Sequence, residues 1–191
     1  MPLPLDNAKR DSILDAGLEL FATLGYHGTA VPKVADKAGV AAGTIYRYFQ
    51  DKEALVNTIF QKQKGEILNY VLEAYSPTQS WEKRFHLIFE RILSFGLDKP
   101  NAFAFLELHH HQSYLDKQSR ELEVMVISQI RSVFESAQQE GAVRKEDPNL
   151  LMHTIWGALV GLLKANTQDY IKLTPQSIQT TAQVCWSAIK S

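Results

Sequence analysis

The sequence predicts an all-α protein: an N-terminal helix-turn-helix of three helices, then a larger helical region, about nine helices in all. Three observations predict it. Apolar residues recur three and four positions apart along nearly all 191 residues. Gly and Pro fall at helix-length intervals, where they stop or start helices. No pair of alternating runs joined by a turn signal suggests a β-hairpin.

The elements follow in order. Asp6 or Asn7 can cap a first helix with Ile13, Gly17, Leu20, Phe21 and Leu24 on its apolar face, and Gly25 can end it as a left-handed cap. Pro32 suits the first turn of a second helix, where its missing N–H costs little. Val34, Ala35 and Ala38 point inward, and Gly39 allows a sharp turn. A third helix runs from about Ala42 to Phe49. Asp51 caps a long fourth through Leu55, Val56, Ile59, Phe60, Ile67, Leu68 and Val71. After Pro77 a helix carries Trp81, Phe85, Ile88, Phe89 and Ile92, and Gly96 and Pro100 bracket the next loop. A helix then opens at PNAFAFLELHHHQ and ends near Tyr114. Residues 117–140 form a long amphipathic helix with Leu122, Val126, Ile130, Val133, Phe134 and Ala137 on one side. Pro148 and Pro175 start the last two helices.

The third helix carries the chemistry. Ile45 and Phe49 lie four residues apart and share one face. That face anchors on the first two helices, leaving Thr44, Arg47 and Tyr48 outward with Tyr46 beside them. A helix that reads a DNA major groove needs this arrangement: an apolar anchor behind, hydrogen-bonding groups in front, and a small first turn, here Gly43. Lys52 starts the fourth helix, where its ammonium and the backbone N–H groups can grip a phosphate. Lys33 can do so from the second helix. A surface helix with incidental Tyr and Arg is the alternative.

Composition constrains the reading. Net charge is −1, so bulk electrostatics announce no nucleic-acid partner. Residues 1–64 hold eight Lys/Arg (9, 10, 33, 37, 47, 52, 62, 64) against seven Asp/Glu (6, 11, 15, 19, 36, 51, 53). DNA affinity must therefore come from where the cations sit. The single cysteine, Cys185, excludes an internal disulfide and suits a reducing cytosol. The N-terminus MPLPLDNAKR lacks a signal-peptide core, and no run approaches the roughly 20 apolar residues of a membrane span. A cytoplasmic protein is expected. No nucleophile–base signature, phosphate-binding glycine loop or metal framework points to an enzyme or a cofactor.

From about residue 10 to 56 the chain resembles the TetR family of bacterial transcription regulators. The resemblance is carried by Ile13-Leu14, Ala16, Leu20-Phe21, Gly25-Tyr26, Thr29, Val34-Ala35, Ala38-Gly39-Val40, Gly43-Thr44-Ile45-Tyr46, Tyr48-Phe49, Lys52-Glu53 and Leu55. It implies an all-helical homodimer with a DNA-binding domain over residues 1–51. It also implies an effector-binding and dimerisation domain over residues 52–191. By position, Thr44, Tyr46, Arg47, Tyr48 and Lys52 become DNA contacts. Ala30 and Ala41 depart from the family, which often has hydroxyl residues there. Such a cap is worth ~1 kcal/mol, and Thr29 is expected to substitute for the first. Pro32 stands where a polar side chain often reaches DNA. Gly17, inside the first helix, costs up to ~1 kcal/mol against alanine and is expected to allow close helix packing.

Residues 75–191 carry no signature. IWGALVGLLKA, residues 155–165, is too apolar for a helix with one wet face. Gly157 and Gly161 lie one turn apart, with Ala158 and Leu162 beside them. The last helix adds Ile178, Ala182, Cys185 and Trp186. The resemblance implies that these two helices pair between subunits; burial inside a monomer is the alternative. Candidate pocket walls are Phe85, Phe89, Phe103, Phe105 and Phe134, which equally suit plain core. Glu107 and His109-His110-His111 stand out in an apolar helix as a polar patch of an effector pocket or as ordinary surface groups. Three adjacent histidines diverge by about 100° per residue and cannot chelate one metal. Only Glu107 and His111 have ligand-pair spacing, and no second cluster supports a metal.

The function expected is a one-component regulator, a repressor released from a palindromic double-stranded operator by a small-molecule effector. A helical protein-interaction module and a small-molecule-processing enzyme are the alternatives.

Overall fold

A computed structural model of the chain describes residues 6–73, 75–108 and 113–191. Among these, nine helices and no strand appear: α1 (Asn7–Gly28), α2 (Val31–Lys37), α3 (Ala42–Tyr48), α4 (Lys52–Leu72), α5 (Trp81–Asp98), α6 (Pro100–Leu108), α7 (Lys117–Gln139), α8 (Pro148–Thr167) and α9 (Pro175–Ile189). The protein is all-α, with an N-terminal helix-turn-helix and a helical C-terminal region.

Two compact units arise: Met1–Glu66 with Lys99–Leu122, and Ile67–Asp98 with Glu123–Ser191. By compactness, residues 52–66 of α4, all of α6 and the start of α7 group with α1 to α3.

In the first unit, the Asp6 carboxylate accepts a hydrogen bond from Ala8 N at 2.9 Å and caps α1. Gly25 adopts φ 69° and ψ 175°, breaking α1 before its last turn. It is thus a kink rather than a terminal left-handed cap. Thr29 closes the kink: its hydroxyl donates to Leu20 O and Gly25 O at 3.1 and 2.8 Å. Gly39, at φ 67°, turns the chain between α2 and α3, a backbone that a side chain would strain. Ile13, Leu14, Phe21, Val34, Ile45, Leu55, Ile59 and Phe60 form the core with Phe105 of α6. A β-carbon on Gly17 would lie 2.8 Å from Ile59 Cδ1, so the glycine admits the close approach of α1 and α4.

In the second unit, α5 packs along α9 and α8. Phe89, Leu93 and Phe95 are buried, and the Phe85 and Trp186 rings sit 5.5 Å apart. Gly96 is a correction. It does not bracket a loop but lies inside α5, where a β-carbon would meet the Leu163 methyls at 2.5 and 2.9 Å. Close packing, not a turn, requires glycine there. The apolar stripe of α7 is only partly covered: Val126 and Ala137 are buried, but Ile130 and Val133 are 40% and 39% exposed. α6 is described over Pro100–Leu108, and the residues leading to its expected end near Tyr114, 109–112, lie outside the described residues. Asp147 caps α8, and a Thr174–Ser177 capping box starts α9.

Candidate nucleic-acid interface

α3 is a seven-residue helix fixed by two apolar side chains. Ile45 and Phe49 are buried, and the Arg10 guanidinium lies 5.7 Å from the centre of the Phe49 ring. Their burial turns Tyr46 and Arg47 outward; Tyr46 is 55% exposed. Gly43 is exposed, with open space where a β-carbon would stand. Thr44 is half-buried, and Lys33 is exposed on α2.

Tyr48 sits differently from its expected place. It is half-buried, its hydroxyl accepting from Asp6 N and donating to Asp6 O, both at 3.1 Å. It fastens the start of α1 to the end of α3, so its hydroxyl already has protein partners. Neither α2 nor α3 has a side-chain cap: Ala30 and Ala41 hold the N-cap positions. Thr29 does not substitute, because its hydroxyl is turned back onto α1.

Lys52 is half-buried at the start of α4, its Nζ 4.0 Å from the centre of the Tyr26 ring. Burial lowers its pKa. Tyr26 stacks on Tyr114 at 4.0 Å, the two planes 17° apart. Burial raises the Tyr26 pKa, helped by the negative Glu53 and Asp51. Burial pushes the Tyr114 hydroxyl up to about 12, with Tyr26 adding to the effect. Asn57, buried on α4, donates to Glu53 O at 2.8 Å and Tyr114 O at 3.0 Å, and accepts from Asp116 N at 2.9 Å. Sequence reasoning missed Asn57 and Tyr114. The available signal was an amide on α4 among Leu55, Val56, Ile59 and Phe60, where a buried amide needs partners.

The sequence matches the model of bacterial regulatory proteins of the tetR family over residues 13–59, and of the tetracyclin repressor-like C-terminal domain over residues 60–191. The chain belongs to the TetR family. It is a helix-turn-helix transcriptional regulator. Among its relatives is the fatty acid metabolism regulator protein of Bacillus subtilis, 27% identical over 150 residues, 77% of each chain. A TetR-family regulator from Marinobacter aquaeolei superimposes with a TM-score of 0.88 over 97% of both chains, at 21% identity. The regulator FadR from Bacillus subtilis, solved with stearoyl-CoA, superimposes with a TM-score of 0.72 at 22% identity, over 93% of this chain and 96% of that one.

The residues expected to line an effector pocket fall in both units of the TetR fold. Phe103 and Glu107 belong to the first. Phe85, Phe89 and Phe134 belong to the second, where the Phe85 and Phe89 rings stack at 5.8 Å. His109, His110 and His111 lie outside the described residues. No group of three metal-ligating side chains occurs among the described residues. Gln63, another residue the sequence did not single out, is buried on α4. Its Oε1 has no hydrogen-bond partner among the described residues.

The expected dimer residues divide. Ile178, Ala182, Cys185 and Trp186 are buried within their own protomer, on the face of α9 that meets α5. Their matching periodicity coincides with packing inside the subunit. On α8, Leu151, Met152, Ile155, Leu159 and Leu163 are buried, whereas Trp156, Gly157 and Gly161 are exposed and Ala158 and Leu162 half-buried. No helix among the described residues is long and apolar enough to cross a membrane.

Proposed function

We propose that the protein is a homodimeric repressor whose two α3 helices read a pseudo-palindromic operator, and that a small apolar effector releases it. The carrying observation is the geometry of α3. Ile45 and Phe49 are sunk into the core, while Tyr46 and Arg47 face outward beside an open turn at Gly43. Such a helix can enter a major groove, with Arg47 bidentate to a guanine edge. Lys33 and Lys52 grip phosphates and fix the register. Tyr48 then contributes its ring edge and orients the helix rather than donating its hydroxyl to a base.

Dimerisation uses the outward face of α8 around Gly157 and Gly161, with Ala158 and Leu162 at its margin. Two heads then meet successive major grooves ~34–36 Å apart. The effector has a long apolar body held by the aromatic side chains Phe85, Phe89 and Phe134 of the second unit. Stearoyl-CoA, bound by the FadR neighbour, is the first compound to test. Binding and release are reciprocal: an effector derepresses only by preferring the form that DNA does not.

The test begins with wild-type protein selecting duplexes from a random pool. A selected pseudo-palindrome, retarded specifically in competition with nonspecific DNA, supports the reading. Arg47→Ala should relax base preference at one position and cost ~1–3 kcal/mol. Failure to enrich any sequence rejects the DNA-reading function. Calorimetric titration of stearoyl-CoA with and without operator then tests the switch, and equal affinity in both rejects release by that effector.

A further inference from the structure

Lys52 is not a free surface cation. The Tyr114 ring, nearly parallel at 4.0 Å, fills one face of Tyr26, which leaves the other face to the Lys52 ammonium, also at 4.0 Å. The three side chains make a column from the connection between α6 and α7 to the first turn of α4. Residues 114–119, the last of that connection and the first of α7, are fastened to α4 at two successive turns. Asn57 holds Tyr114 O and Asp116 N, and Gln61 Nε2 donates to Ser119 Oγ at 3.0 Å. Asp116 in turn accepts from Ser119 N at 2.7 Å at the start of α7. Asn57, Leu115 and Ser119 are almost wholly buried.

Apolar contacts tolerate sliding, but buried hydrogen bonds hold one register, because a slipped register leaves desolvated polar groups unpaired. The ammonium is also partly desolvated against the ring. A cation so placed is satisfied by the ring on one side and by an anion on its open side. We propose that Tyr26, Tyr114 and Asn57 are positioning residues for Lys52: the column makes the lysine's grip on phosphate depend on the seat of the α6–α7 connection. The proposal rests on the reading of Lys52 as a phosphate contact. It adds the route by which a shift of that connection reaches the DNA contact.

The experiment is a double-mutant cycle read by fluorescence anisotropy over a salt series. The probe is a duplex that the wild-type protein selects from a random pool. Tyr114→Phe keeps the stack and should bind like wild type. Tyr114→Leu keeps apolar bulk but removes the ring. It should weaken binding roughly three- to tenfold and flatten the salt slope toward that of Lys52→Ala, which loses about one unit. In the Lys52→Ala background, Tyr114→Leu should change affinity by less than about twofold. Tyr26→Leu, run through the same cycle, gives a second reading if Tyr114→Leu fails to fold. Equal losses in both backgrounds mean general packing and overturn the proposal. Tighter binding by Tyr114→Leu means that the column withholds the lysine, and also overturns it. Wild-type binding with no effect of Lys52→Ala rejects the positioning role alone, whereas failure of the wild type to select DNA rejects the parent reading as well.

Discussion

Gly96→Ala sets two opposed effects against each other, and the packing geometry decides the sign. In a helix interior, alanine is better than glycine by ~1 kcal/mol. Here the new methyl would stand 2.5 Å from Leu163 Cδ1, 2.9 Å from Cδ2 and 3.2 Å from Cγ, against ordinary carbon contacts of about 3.5–4.0 Å. Because both methyls of Leu163 are involved, rotating its end cannot clear the space. Either α8 withdraws from α5 or Leu163 leaves its rotamer. Overpacking of this kind costs ~1–3 kcal/mol, so the net effect should be a loss of up to ~2 kcal/mol. Leu163→Ala alone should cost ~2–5 kcal/mol through the cavity it leaves. In that background the Gly96→Ala methyl meets no branch, and the helix preference of ~1 kcal/mol re-emerges as a gain. Urea unfolding followed by far-UV circular dichroism, at one fixed protein concentration, gives the four free energies of the cycle. Stabilisation by Gly96→Ala in the wild-type background would refute the reasoning.

Three other outcomes are expected. Asn57→Ala should cost ~2–5 kcal/mol in urea unfolding, because Tyr114 O and Asp116 N lose a buried partner; a loss below ~0.5 kcal/mol would mean that water or another group replaces the amide. Gly161→Arg, on an exposed face of α8, should give a folded monomer by sedimentation, whereas Ala182→Glu buries an unpaired carboxylate at a fully buried position and should destroy the fold. A folded Gly161→Arg dimer would place the interface elsewhere. The Tyr114 hydroxyl keeps its proton in the folded state up to about 12, against 10.0 as the ordinary value. Its contribution to stability is therefore present below pH 10 and lost as pH rises from 10 to about 12. Tyr114→Phe should remove that part of the alkaline fall, as measured by urea unfolding at stepped pH.

The reading head was legible because its constraints are local. Ile45 and Phe49 share a face by helix geometry alone, Asp6 and Asp51 mark helix starts, and Gly39 marks a turn. Sequence and structure part where one residue type answers two physical demands. Gly25 and Gly39 relieve backbone strain, but Gly17 and Gly96 remove a β-carbon for a neighbouring helix. Nothing in the chain near Gly96 says which demand operates; Leu163 lies 67 positions away. Spacing alone turns Tyr48 outward, but its hydroxyl is engaged by the backbone of Asp6, 42 residues earlier. The periodicity of Ile178, Ala182, Cys185 and Trp186 revealed a buried face of α9 without revealing which surface buries it.

The burial of Cys185 gives the second unit a built-in chemical clock. The chain has one cysteine, and it is buried on α9, where desolvation raises the thiol pKa. Only the thiolate reacts with a thiol-directed reagent, so the burial and raised pKa of Cys185 slow its modification until the structure around α9 opens. When reclosing outruns the chemistry, the observed rate is the intrinsic rate multiplied by the fraction of time spent open. Mass spectrometry of the intact protein after timed exposure therefore measures the free energy of that opening without an engineered label. The same exposure, repeated with operator or stearoyl-CoA present, would show whether either ligand holds α9 shut.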